Sequence, residues 1–191
     1  MLIEAELKAR VHHVNRVLGL LRGRASAEET ATYHDVYYDT PAGGLERDGR
    51  ELRVRVVETA AGARCLLTYK QPAVDAASGS KPEHEITTVD AGAAATLEVI
   101  LRALGVAPVL AFTKQCRNFR ITSGGREMLA TVATVPEIAG TWLEVETLAE
   151  PDELTEALDA VRAALAELDI AEADLTGALY TDAVRATRNN A

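Results

Sequence analysis

The stretch Ile3-Glu4-Ala5-Glu6-Leu7-Lys8 carries a charge at every second position. In a strand, successive side chains point to opposite faces, so Glu4, Glu6 and Lys8 share one side and Ile3, Ala5 and Leu7 the other. A solvated edge strand accounts for one such segment, but the alternation recurs along the chain. In ELRVRVV (51–57), Arg53 and Arg55 lie opposite Leu52, Val54 and Val56, and in RCLLTYK (64–70), Thr68 and Lys70 oppose Leu67 and Tyr69. Glu83 and Glu85 fall together in EHEI (83–86), Lys114 shares a face with Cys116 in FTKQCRNFR (112–120), and Glu144 and Glu146 oppose Leu143 and Val145 in TWLEVE (141–146).

Two architectures accommodate this pattern. In an open antiparallel sheet the aliphatic face packs on helices and the charged face meets water; in a closed barrel the charged face lines the interior. The kind of charge tilts the balance toward the barrel. Glutamates come as spaced pairs on some strands and arginines and lysines on others, a sorting that solubility alone does not require. Carboxylates are hard oxygen ligands for Mg²⁺ or Mn²⁺, whereas arginine and lysine grip phosphate oxygens through charge-assisted hydrogen bonds. A polyanion carrying its own divalent metal satisfies both sets.

The remaining elements frame these strands. Apolar spacing predicts a helix over 11–24, an extended stretch over 33–39 ending at Thr40-Pro41, a mobile loop at 73–82, and a helix over 93–104 stopped by Gly105. Strands follow at about 110–122, at 126–135 with Gly124-Gly125 as the hairpin turn, and at 141–148. From Pro151 the period becomes helical: one helix begins near Asp152, and a second, from about Ala171, carries Leu175, Leu179 and Val184, a helical pair at about 151–188. With no internal repeat and no linker, the 191 residues read as a single domain (1–191) of about eight strands, an α+β fold whose antiparallel sheet closes on itself with helices packed outside.

Composition narrows the function. A net charge of −9 argues against coating nucleic acid, which rests on a broad basic surface. No apolar run approaches the roughly 18 residues of a membrane span and no leader precedes the first strand, so a cytoplasmic location is expected. Two cysteines, Cys65 and Cys116, exclude a disulfide framework and a CxxC metal site, and their strand parities set them on opposite faces. None of the four histidines has a zinc-type spacing.

The opening IEAELK resembles the Glu-x-Glu-x-Lys signature of the CYTH superfamily, the triphosphate tunnel metalloenzymes, which include class IV adenylyl cyclases and thiamine or inorganic triphosphatases. YYDTP (37–41), LRVR (52–55), LTYKQP (67–72), EHE (83–85), the lysine of TKQCRNF and LEVE (143–146) match in family order over almost the whole chain. The tail, with LDI (168–170) and LYTDAV (179–184), looks closest to the cyclase branch. The resemblance implies a closed eight-stranded antiparallel tunnel in which Glu4, Glu6, Glu144 and Glu146 hold Mg²⁺ or Mn²⁺. Lys8, Arg53, Arg55, Lys70 and Lys114 would then grip the triphosphate, with Lys8, Arg55 and Lys70 catalytic and Glu83, Glu85 and Asp39 supporting. The implied partner is a small-molecule triphosphate (a nucleotide, thiamine triphosphate or inorganic triphosphate), turned over by a cyclase or triphosphatase that requires neither membrane nor nucleic acid and is compatible with a homodimer. Two positions depart from the pattern. Cys116 stands where the family has an arginine two residues past the strand lysine, and Ala130 or Thr131 stands where it has an aspartate. These departures leave open the alternative of a non-catalytic or redirected tunnel that binds a phosphorylated metabolite.

Overall fold

The computed structural model describes residues 2–190. Eight strands, β1 (Ile3–Arg10), β2 (Ala27–Asp39), β3 (Glu51–Thr59), β4 (Gly62–Lys70), β5 (Lys81–Thr88), β6 (Ala107–Ser123), β7 (Arg126–Thr134) and β8 (Trp142–Ala149), form a closed barrel in the order β1-β5-β4-β3-β2-β6-β7-β8. Every neighbouring pair is antiparallel. Closure rests on a long β1/β8 ladder, Ile3↔Ala149 to Arg10↔Trp142, and a short β1/β5 seam of two pairs, Ile3↔Pro82 and Glu4↔Lys81. The open sheet is thereby excluded.

The main apolar cluster lies outside the barrel wall. Odd-numbered residues of β1 and β8 (Leu7, Ala9, Leu143, Val145) and residues of β6 and β7 (Phe119, Ile121, Ala130, Val132) pack against α1 (Val14–Arg22) and α4 (Leu154–Glu167) through Leu18, Leu21, Val161 and Leu165. A second cluster places Tyr38, Val54 and Cys65 under Leu101 of α3 (Ala93–Ala103). Burying the aliphatic face outward leaves the charged face nowhere to go but the interior. Gly124 and Gly125, at φ 59° and 79°, form the two-residue β6/β7 turn, a left-handed pair that suits a hairpin and that side chains rarely adopt.

Several boundaries differ from the sequence reading: α1 is shorter than the 11–24 expected and β6 begins at Ala107 rather than about 110. β2 begins at Ala27 rather than 33, because residues 27–30 are exposed at the barrel's end and show no burial alternation to read, yet pair with Arg117–Arg120 of β6. The loop assigned to 73–82 ends sooner, Lys81 and Pro82 already belonging to β5. The last helix, α5, spans Tyr180–Asn189 instead of starting near Ala171. Residues 172–174 form a single 3₁₀ turn, in which the Asp174 carboxylate accepts from the Ala171 N–H at 3.1 Å. The chain then runs extended, Leu175 bridging Ala9 and the Thr176 N–H donating to the Lys8 carbonyl at 2.9 Å. Backbone partners on β1 thus override a helical leucine spacing and deliver Tyr180 to the barrel's mouth. Among the described residues no helix is long and apolar enough to cross a membrane.

Candidate functional site

Register decides which charges meet. On β1 and β8, Glu6 stands opposite Glu146, Lys8 opposite Glu144, and Glu4 opposite Leu148. The carboxylates of Glu4, Glu6 and Glu146 offer oxygens all within 4.8 Å of one another. Glu144, one pair further along, instead accepts from the Lys114 ammonium at 3.3 Å. Glu4 and Glu83 share the Lys70 ammonium, Glu83 at 2.7 Å. Glu6 and Glu146 have no cationic partner within ion-pair distance among the described residues. Burial, reinforced by the charges of Glu144 and Glu4, pushes Glu6 up to about 7, and burial with Glu4 and Glu6 alongside raises Glu146 well above the carboxylate range. Burial alone would raise Glu4 too, but Lys70 overrides it and holds that carboxyl low.

The opposite wall is basic. Burial would raise Asp35, but the Arg55 guanidinium, bidentate at 2.5 and 2.8 Å, holds it at about 2. Arg55 also lies over the Tyr33 ring at 4.4 Å, so its orientation is fixed while the remaining terminal nitrogen is not engaged by Asp35. Arg53 is 8% exposed, has no ion-pair partner among the described residues, donates to the Thr68 hydroxyl at 3.4 Å and leaves its buried Nε without a hydrogen bond. Lys8 likewise lacks an ion-pair partner among the described residues; burial lowers its pKa, and its ammonium sits 4.7 Å from the centre of the Tyr180 ring. Lys114 contacts the same ring at 4.8 Å.

These groups line two adjoining cavities. The outer one, about 240 Å³, is bounded by Lys8, Tyr37, Arg53, Lys70, Lys114 and Tyr180, with residues 76–80 of the β4–β5 loop along its rim. The inner one, about 250 Å³, holds Glu6, Glu146, Arg53, Arg55, Glu83 and Glu85. Glu4, Glu6, Arg53, Lys70, Lys114 and Glu144 line both, marking where the two spaces meet.

Of the residues singled out from sequence, Glu4, Glu6, Lys8, Arg53, Arg55, Lys70, Glu83, Glu85, Lys114, Glu144 and Glu146 all line this interior. Glu85 sits at its exposed end, accepting from Thr68 at 2.9 Å. Asp39 does not join them. Its carboxylate accepts from the backbone N–H groups of Thr40, Leu45 and Glu46 at 2.6, 2.8 and 3.0 Å, which fixes the start of the short helix α2 (Gly44–Arg47). Ala130 packs outward against the helices; Thr131, at the other candidate position, is the one on the interior, donating to the Asn118 carbonyl, whose amide donates to the Tyr33 hydroxyl at 2.7 Å. Cys116 lies in an interior cluster with Ala31, Tyr33, Val57 and Ala133, while Cys65 is outside under α3 and both thiols are free. Arg117 points outward to Glu28, Arg120 is exposed, and Trp142 packs edge-on to Tyr180 at 5.4 Å as a mouth residue. Sequence reading missed Asp35, although its parity with Tyr33 and Tyr37 on β2 was the available signal. It missed Tyr180 because the position of that residue depends on the path of residues 175–179.

The donor set fits a divalent cation. Glu6 and Glu146 are hard oxygen ligands with no ion-pair partner among the described residues, beside a third carboxylate and open to a cavity. The protein without metal is therefore expected to grow more stable as pH falls from about 7, where Glu6 titrates in the folded state, to about 5. A carboxylate whose folded pKa is raised binds more protons in the native state between its unfolded and folded values, so stability is lost as pH rises through that window. Thermal midpoints in EDTA should drop as pH rises from about 5 to about 7, at roughly 2–4 °C per kcal/mol, and Mg²⁺ should restore them; a flat profile would count against the unpaired carboxylates.

The CYTH domain profile matches residues 2–180. No curated protein matches the chain by sequence. Among solved structures, a Vibrio parahaemolyticus protein described as a candidate adenylate cyclase superposes with a TM-score of 0.79 at 19% identity, covering 96% of this chain and 98% of that one. A Pyrococcus horikoshii OT3 protein gives 0.77 at 24% identity, covering 93% and 95%. A Hippeastrum candidate adenylyl cyclase with a dominant triphosphatase activity gives 0.64 at 19%, covering 97% and 96%. At these identities the likeness speaks for the fold.

Proposed function

Because the chain belongs to the CYTH domain family, we propose that it is a divalent-metal-dependent enzyme acting on a small-molecule triphosphate, as a class IV adenylyl cyclase-like enzyme or a triphosphatase. The observation that carries this reading is the gathering of buried charge of both signs in one interior without direct ion pairs: Arg53, its buried Nε unpartnered, and Lys8 share the space with Glu6 and Glu146, and none of the four has a partner within ion-pair distance among the described residues. Buried charge without a partner is costly, and a polyphosphate with its metal relieves both walls at once.

Glu4, Glu6 and Glu146 would hold Mg²⁺ or Mn²⁺, with Glu144 shared between Lys114 and the site. Bound there, the metal supplies Lewis-acid polarisation and neutralises phosphoryl oxygens. Arg53, Arg55, Lys8, Lys70 and Lys114 orient the phosphate chain through charge-assisted hydrogen bonds, and Arg55 is preorganised for this by Asp35 and Tyr33. The protein's share of catalysis is thus positioning and electrostatics rather than covalent chemistry. The nucleophile sets the product: a ribose 3′-hydroxyl at the α-phosphate gives cyclic nucleotide and pyrophosphate, water at the γ-phosphate gives phosphate.

Incubating the protein with ATP, thiamine triphosphate or inorganic triphosphate, each with Mg²⁺ or Mn²⁺, while following cyclic nucleotide and phosphate release tests this directly. Metal-dependent turnover of at least one substrate is expected. A second reading, a binder without turnover, is favoured by Cys116, which puts a neutral thiol in an apolar cluster. It predicts a raised thermal midpoint with metal and triphosphate but no product. Neither turnover nor a shift would sink both readings.

A further inference from the structure

Lys8 and Lys114 reach the outer cavity from β1 and β6, and one aromatic ring carries both ammonium groups: the centre of the Tyr180 ring is 4.7 Å from Lys8 Nζ and 4.8 Å from Lys114 Nζ. Lys114 also has the Glu144 carboxylate at 3.3 Å. For Lys8, which has no ion pair among the described residues, the ring stands where a counterion would. The ring is fixed independently of the lysines. It opens α5, is 8% exposed, meets Trp142 edge-on, and packs in one cluster with Leu110, Phe112, Val135 and Val184. Further along α5, Arg188 grips Glu137 at 2.7 and 2.9 Å and donates to the Ala111 carbonyl at 2.7 Å. The Lys8 backbone is tied to the segment leading into α5, its carbonyl accepting from the Thr176 N–H.

Resting on the triphosphate reading above, we propose that Tyr180 is a positioning residue that acts through Lys8 and Lys114: its ring holds both ammonium groups in place with donors free, ready for the phosphate chain. A carboxylate at that position would occupy the lysine donors and compete with the substrate for them. An aromatic face attracts a cation through its quadrupole and accepts no strong hydrogen bond, so it restrains the charge without consuming it. Glu144 lies directly opposite Lys8 on β8, and without the ring that pair would close and take Lys8 off the phosphate path. The Tyr180 hydroxyl is buried without a hydrogen bond, which leaves the ring as the working part of the side chain. Tyr33 repeats the device deeper in the barrel, with Arg55 at 4.4 Å and Lys114 at 5.8 Å from its ring.

Replacing Tyr180 by phenylalanine and then by mono-, di- and trifluorinated phenylalanine tests this, because each fluorine weakens the ring face while nearly preserving its shape. The readout is calorimetric titration with inorganic triphosphate and Mg²⁺, a ligand with no organic group to stack on the ring. Tyr180→Phe should bind within about twofold of the wild type and melt no lower, since the hydroxyl it removes has no partner. Affinity should then fall stepwise with fluorine number, to about tenfold below Tyr180→Phe for the trifluorinated ring. In a Lys8→Met background the dependence on fluorine should be shallower, because one of the two cations is gone. A ring that only packs would give no dependence at all. Affinity indifferent to fluorine, a dependence unchanged by Lys8→Met, or a loss in Tyr180→Phe as large as in the trifluorinated protein overturns the inference and leaves the triphosphate reading standing. Failure of the wild type to bind any triphosphate, with ATP and thiamine triphosphate tried as well, overturns both.

Discussion

Glu146→Gln is expected to stabilise the metal-free protein while lowering triphosphate turnover on the order of 10²–10³-fold. Glu146 faces Glu6 directly across the β1/β8 ladder, and like charges opposite one another destabilise a sheet. Both carboxyls are raised by burial and by neighbouring negative charge, so at neutral pH and without metal the pair costs stability that a neutral amide restores. The amide keeps the shape and one oxygen ligand but loses the charge that a hard divalent cation draws on. The two effects therefore carry opposite signs, which a merely structural glutamate would not produce. Thermal melts in EDTA and steady-state rates with Mg²⁺ or Mn²⁺ check them together. If the variant melts lower and turns over normally, the carboxylate cluster is not a metal site.

The second large effect concerns the basic wall. Asp35→Ala should cost about 3–5 kcal/mol, because it leaves the Arg55 guanidinium charged and unpaired where only 11% of its side chain reaches solvent. At the scale expected for a chain of this size this corresponds to a fall of roughly 10 °C in the thermal midpoint. Asp35→Ala combined with Arg55→Met should recover much of the loss, since a buried pair replaced on both sides by apolar groups is often neutral. Turnover should not recover, because the proposed function assigns Arg55 to the phosphate chain. Denaturant titration of the wild type and the two variants measures this. A single-variant loss below about 1 kcal/mol would show that the pair is wetter than its geometry indicates.

These two sites differ in how far the chain itself announced them. Glu6, Glu146, Arg53 and Arg55 were legible as facing one interior because strand side chains alternate with a period of two, a property carried by the residues alone. Asp35 was equally legible by parity but stood without a repeat to draw attention to it. Asp39 was implied only by the resemblance, and no local pattern announces that its carboxylate is taken up by the backbone N–H groups of Thr40, Leu45 and Glu46 at the end of β2.

By itself the sequence determined which faces are charged, where most strands and helices run, and that aliphatic residues must be covered by helices. Only the tertiary structure decided that the sheet closes, that Glu146 rather than Glu144 joins Glu4 and Glu6, that Lys70 is held between two carboxylates, and that Tyr180 reaches the mouth. Alternation is local and can be read one residue at a time. Register, closure and the path of residues 175–179 depend on which distant backbone groups satisfy one another, and no short stretch of sequence contains both partners.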